Sequence, residues 1–310
     1  MNKKSRELTE GALFSTIFLL LLLITVLTPL GTVTLYLLAI PFIIYGYRNG
    51  IKMGLIVITA SSILSILIGG FYSITLAILA GTVGITMGAL YKKGNILLVI
   101  LGGSITTIIN LILGIAFSNL IIGTDIIESL QQMLNASLNS VEGMLKQFGN
   151  QQETELIIQA YRALFDNIGL MLPFFIIAFA IMFVIINHVI AGKIMKRLGI
   201  KVPNLPPFRE WTFPRSIIFY YLLNSIALKI KSLYDIYAIK LIAINLYPLL
   251  HLILLIQGLS FVFYYAHQKN LGKTIRVIAI VGILIPFMTQ LLIILGMIDI
   301  SFNLRKKLEI

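Results

Sequence analysis

Residues 96–118 read ILLVILGGSITTIINLILGIAFS, and this stretch decides the fold. No charged residue interrupts it. Wound as a helix at ~1.5 Å per residue it is ~35 Å long, enough to cross the ~30 Å hydrocarbon core of a bilayer. Lys92 and Lys93 stop it on one side, and the polar region after Ser118 stops it on the other.

The rest of the chain repeats the pattern. Of 310 residues, 58% are hydrophobic and 12% are charged. Soluble domains carry roughly 25% charged residues, so this chain needs lipid as its solvent. Further apolar segments lie at 10–29, 32–47, 53–69, 74–91, 168–191, 214–229, 240–266 and 277–298. The run from Gly11 to Thr28 has no small-residue cleavage pattern after it and reads as a retained first span. The expected fold is all-α: a polytopic transmembrane helix bundle of eight or nine spans.

The net charge of +12 is distributed as orientation signals rather than as a nucleic-acid surface. Lys3, Lys4 and Arg6 precede the first segment. Arg48 with Lys52, then Lys92 with Lys93, follow the second and fourth. Six basic residues follow the sixth, and Lys269, Lys273 and Arg276 follow the eighth. If every segment crosses, all of these share one face, which the positive-inside rule makes cytoplasmic, together with the N-terminus. Nine crossings place Arg305, Lys306 and Lys307 outside, whereas eight place them inside. Charge counting leaves that conflict open.

Two stretches are polar. Residues 119–167 carry an acidic excess. Ile127, Leu130, Leu134, Leu138, Val141, Leu145 and Phe148 recur at helical spacing, Gly149-Asn150 breaks the run, and a second helical pattern covers 153–165. The expectation is an external helical hairpin. Residues 192–215 hold Pro203, Pro206, Pro207 and Pro214, which deny the stretch a continuous helix. Six basic residues suit it to anionic headgroups, and Trp211 suits an interface. The chain thus divides into an N-terminal six-helix half (1–191), a basic proline-rich cytoplasmic linker (192–215) and a C-terminal membrane half (216–310).

The absence of cysteine removes disulfides and thiolate metal sites. There is no phosphate-binding glycine loop and no HExxH, and His188, His251 and His267 lie apart. No catalytic set, metal site or cofactor is expected. Polar residues within apolar segments are the remaining signal, because an unpaired polar group in hydrocarbon costs roughly 2–7 kcal/mol. With nine crossings, Asn110, Asn224, Asn245, His251 and Gln290 fall at or beyond the midplane on the outer side and are the candidate lining of a small-solute pocket. Asn187 and Gln257 are other buried-polar positions, and Asp299 reads as a solvated charge at a helix end. Gly11, Ala12, Ser15 and Thr16 form a small-residue stripe that could pack inside the chain or dock a membrane partner subunit.

LTEGAL at 8–13, FREWTFPRS at 208–216, IQGLS at 256–260 and LGMIDISFNLRKK at 295–307 give the chain its resemblance. It resembles the YybS-like family of bacterial multi-pass membrane proteins, a domain of unknown function. That resemblance implies a bacterial cytoplasmic membrane and no established activity. More distantly, the first six segments are similar to the S components of energy-coupling-factor transporters. Such proteins begin inside and dock a coupling subunit through small residues of helix one, here Ala12 and Thr16. In outline the chain is also similar to membrane scaffolds of cell-shape machinery. Two expectations result: a non-enzymatic small-solute binding or transport protein, and a membrane scaffold for envelope or sporulation machinery.

Overall fold

The computed structural model describes residues 3–123, 125–148 and 151–308, and its regular structure is helical throughout. The expected break at Gly149-Asn150 lies outside the described residues. The chain forms two compact units. The first is 1–165 with 175–204, and the second is 166–174 with 205–310. Among the described residues five helices are long and apolar enough to cross a membrane, or six when one bent pair counts as a span.

In the first unit, α1 (Lys3–Leu27) packs against α2 (Ile40–Tyr91). A straight helix of 52 residues would be ~78 Å long, more than twice the hydrocarbon thickness. The chain avoids this by breaking at Gly50 (φ 79°, ψ −174°) and at Gly69–Gly70, where Gly70 has φ 63° and ψ −153°. Only glycine enters such conformations without strain. A Cβ on Gly81 would lie 2.6 Å from Ile58 Cγ1. Along a continuous helix those residues would stand ~35 Å apart. The chain therefore reverses at Gly69–Gly70, and the expected segments 53–69 and 74–91 form an antiparallel pair. Segment 32–47 is irregular. It comprises Gly31–Thr34, a tighter turn at Leu35–Leu37, and the start of α2 with Pro41 in its first turn, where no donor is needed.

Polar contacts hold α1 in place. Ser61 Oγ donates to Ser15 Oγ at 2.9 Å, and Tyr45 Oη donates to the Glu7 carbonyl at 3.1 Å. Asn49 donates to Glu10 at 3.1 Å, with Arg6 and Arg48 at 3.5 and 3.8 Å from the same carboxylate. Helix α3 (Ile96–Phe117) starts with the Asn95 side chain accepting from the Leu97 N–H, a regular N-cap. α4 (Ile126–Phe148) and α5 (Gln151–Asp166) are the two amphipathic helices expected in the polar region, bridged by Arg162 to Glu142 at 2.8 Å. α6 (Leu172–Arg197) places His188 against Tyr91 Oη at 2.7 Å.

The second unit contains α7 (Ser216–Lys229), α8 (Tyr237–Gln268), α9 (Lys273–Gly282) and α10 (Pro286–Phe302). α7 runs antiparallel to α8, with Asn224 beside Ala243 and Tyr221 beside Tyr247. Its 14 residues span only ~21 Å. Segment 277–298 is not one straight span as expected, because α9 and α10 meet at a 112° bend. Pro286 opens α10, and Thr289 Oγ1 donates 2.8 Å to the carbonyl of Ile283 inside the break. α10 then runs parallel to the second half of α8, with Gln257 beside Asp299 and Tyr264 beside Arg305. Residues 166–174 join this unit because Asn245 holds them, accepting from the Phe174 N–H at 2.8 Å and donating to the Leu170 carbonyl at 2.6 Å.

At the α8–α10 crossing a Cβ on Gly258 would collide with the Leu292 carbonyl oxygen. Gly258→Leu is expected to lower stability by about 1–3 kcal/mol, the usual cost of overpacking. A methyl group added at Gly143 would meet nothing within 4 Å. Gly143→Ala should be neutral or stabilising by up to about 1 kcal/mol. Thermal melting in detergent measures both, and equal effects would contradict the packing described.

Candidate functional site

Three sequence motifs that lie far apart in the chain meet in the second unit. FREWTFPRS supplies backbone groups, IQGLS supplies Gln257 and Ser260, and the C-terminal motif supplies Asp299 and Arg305. The meeting depends on Asn303, whose left-handed backbone (φ 48°, ψ 53°) ends α10. Asparagine tolerates that conformation and often closes helices in this way. The short helix Leu304–Leu308 then carries Arg305 back over the end of α10.

Arg305 Nε donates to Asp299 Oδ2 at 3.0 Å, and Gln257 Nε2 donates to the same oxygen. The two charged side chains are 12% and 2% exposed, so this is a buried ion pair. Arg305 also donates to the Arg209 carbonyl at 2.8 Å and to Ser260 Oγ at 3.1 Å. The Ser260 hydroxyl has the carbonyls of Phe208 (2.8 Å) and Trp211 (2.9 Å) within donating range. Gln257 Oε1 accepts from the Phe213 N–H at 3.0 Å. The linker backbone, whose only helical turn among the described residues 205–215 is Phe208–Glu210, is thereby tied to the bundle by side chains. Asp299 is not the solvated end-of-helix charge expected from the sequence. Its carboxylate is buried and paired, because Asn303 folds the cationic tail onto it.

The five expected pocket residues are mostly occupied by helix contacts. Asn110, in the first unit, donates to Thr82 Oγ1 at 2.9 Å and to the Thr106 carbonyl at 2.7 Å. Asn245 serves residues 170–174 and its own helix. Asn224 donates to the Ala243 carbonyl at 3.1 Å and borders an apolar cavity of about 200 Å³ between α7 and α8, beside Tyr220, Ala227 and Ile242. His251 packs on the rings of Tyr221 and Tyr247, with Nδ1 buried and without a partner among the described residues. Gln290 is exposed, and neither it, Asn245 nor His251 borders the cavity beside Asn224. The α1 stripe splits in two. Gly11 and Ser15 are buried against α2, while Ala12 and Thr16 are exposed. Among the described residues no three His, Asp or Glu side chains come together to hold a metal.

Breaking the ion pair from one side leaves a buried charge uncompensated, a loss of about 3–5 kcal/mol. Arg305→Ala should therefore destabilise by that amount, and Asp299→Leu combined with Arg305→Leu should recover much of it. Denaturant unfolding in detergent reads the comparison. A double variant as unstable as the sum of the single ones would contradict a coupled pair.

Comparison with known proteins agrees with a membrane assignment. The family described as "Predicted membrane protein (DUF2232)" matches residues 15–300. The Bacillus subtilis (strain 168) protein called "Uncharacterized protein YybS" is 30% identical over 309 residues, 99% of this chain and 100% of that one. No solved structure matches. With a family match over nearly its whole length and a full-length relative, the chain belongs to the DUF2232 family of predicted membrane proteins.

Proposed function

We propose that the protein is a non-enzymatic small-solute binding and transport component of the bacterial cytoplasmic membrane. The observation that carries this reading is the break between α9 and α10, with its 112° bend in an apolar segment. Irregular backbone at membrane depth survives only where protein or a water-filled cavity surrounds it. Discontinuous helices of this kind build the sites of many secondary transporters. The cavity beside Asn224 supports the same reading. Its ~200 Å³ is below the roughly 300–1,000 Å³ of drug-sized pockets, which suits a small, mainly apolar solute. The Asn224 carbonyl oxygen would accept one hydrogen bond from it.

The same bend supports a finer topology. Eight crossings, with 273–302 entering and returning on one face, keep Arg305, Lys306 and Lys307 inside. They join the 16 basic residues already assigned there, leaving only Lys146, Arg162, Lys229, Lys231 and Lys240 outside. The N-terminus is then cytoplasmic and the α4–α5 pair is external.

A solute that binds here stabilises the folded protein by about 2.7 kcal/mol at a hundredfold excess over its Kd. Screening purified protein against a metabolite panel should yield a melting shift that Ala227→Phe, which fills the cavity, abolishes. No shift across the panel, or a shift indifferent to that substitution, would contradict transport through this site.

A scaffold for envelope machinery is the second reading. The amphipathic α4 and α5 favour it, since Met133, Met144 and Leu156 stand 72%, 67% and 69% exposed. Photo-crosslinkers at those positions should trap an envelope protein if this reading holds, and capture only lipid if it does not.

A further inference from the structure

We propose that the second unit holds a site for a phosphate-type anion, the chemistry shared by an anionic phospholipid headgroup and free phosphate, in the cavity lined by Arg209, His267 and Arg276. This site is separate from the cavity beside Asn224 and does not depend on solute transport.

The cavity measures about 110 Å³ and is bounded by Pro207, Phe208, Arg209, Phe263, His267 and Arg276. That volume is too small for a drug-sized solute and suits a compact headgroup. Two arginines and a histidine are among its lining residues, and among the described residues no acidic one is. Two acids of the same linker and tail motifs are accounted for. Asp299 is held by Arg305 and Gln257, and Glu210 reaches Arg209 only at 3.7 Å across a half-exposed pair.

Arg276 is the telling residue. Its Nε is buried and has no hydrogen-bond partner among the described residues. A buried donor on a charged group is expensive to leave unmade. Arg305, which bonds the backbone of the same linker, shows the contrast, because every nitrogen of its guanidinium has an acceptor. A planar guanidinium matches the oxygens of a phosphate in a way that an ammonium does not. An anion in the cavity would supply the acceptor that Arg276 lacks.

The walls are fixed before any ligand arrives. Phe208 and Phe263 meet edge to face at 5.2 Å, Trp211 Nε1 donates to the Pro206 carbonyl at 3.0 Å, and Ser260 holds the Phe208 carbonyl. A preformed site loses less free energy to ordering when it binds. Apolar walls beside three basic groups also fit a headgroup whose acyl end continues into hydrocarbon.

The test uses the full chain in a neutral detergent, with melting followed as inorganic phosphate, short-chain phosphatidylglycerol or short-chain phosphatidylcholine is added. Phosphatidylglycerol should raise the midpoint, and Arg276→Gln should weaken that binding about tenfold, in keeping with loss of a charge-assisted pair. Lys307→Gln, a change on the exposed tail, should alter it less than about twofold. His267→Gln, an exposed change that folding tolerates, gives a second reading and should weaken binding about threefold or more. A response to phosphatidylglycerol alone assigns the site to lipid, and an equally Arg276-dependent response to inorganic phosphate assigns it to the free anion. No response, a phosphatidylcholine response as large, or equal losses in the Arg276 and Lys307 variants would overturn the proposal.

Discussion

A bilayer interior offers no water to a polar group, so a buried donor, acceptor or charge demands a partner and is costly when left without one. The carboxylate of Asp299 meets that demand through Arg305 and Gln257, and much of the second unit is arranged around the result. The same guanidinium and the neighbouring Ser260 donate to carbonyls of a proline-rich linker whose own helical bonding is limited to one turn at Phe208–Glu210. The linker is thus bound to the bundle through its backbone. Substituting its side chains should matter less than removing the residues that receive it.

The first unit meets the same demand differently. Its long apolar run is cut by glycines at Gly50 and at Gly69–Gly70 into lengths a membrane can hold. Other glycines then let the pieces touch. Gly84 faces the Ala39 carbonyl and Phe42, and Gly88 faces the Ile43 carbonyl and the Tyr47 amide. Lipid tails provide no hydrophobic drive for helix association, so close van der Waals contact must supply it. This explains why the small residues of α1 divide, with Gly11 and Ser15 used for packing and Ala12 and Thr16 left at the surface.

Apolar runs long enough to cross a bilayer made the helical class legible, and the amphipathic spacing of 127–148 located α4 to within a residue or two. Breaks were harder to read. Residues 273–302 are continuously apolar over most of their length, and Pro286 alone does not announce a 112° bend. That three of the quoted motifs form one polar cluster was not legible, because they lie roughly 40 to 100 residues apart and only the fold unites them. One local signal was present: Asn303 between Asp299 and Arg305, a helix stop that lets a tail cation return to a buried acid. The asparagines expected to line a pocket lie within apolar helices. Spacing along one helix cannot show that the opposite partner is a neighbouring carbonyl.

On the proposed topology, the bend between α9 and α10 returns the chain to the face it left, and that return brings the tail to the linker. The chain contains no cysteine, so single cysteines can be introduced without background. The direct measurement is labelling of Lys3→Cys, Gly123→Cys and Lys307→Cys in intact cells with a membrane-impermeant maleimide. Position 123 should label at once, and positions 3 and 307 only after the membrane is opened. Labelling of position 307 together with position 123, while position 3 stays protected, would contradict the claim.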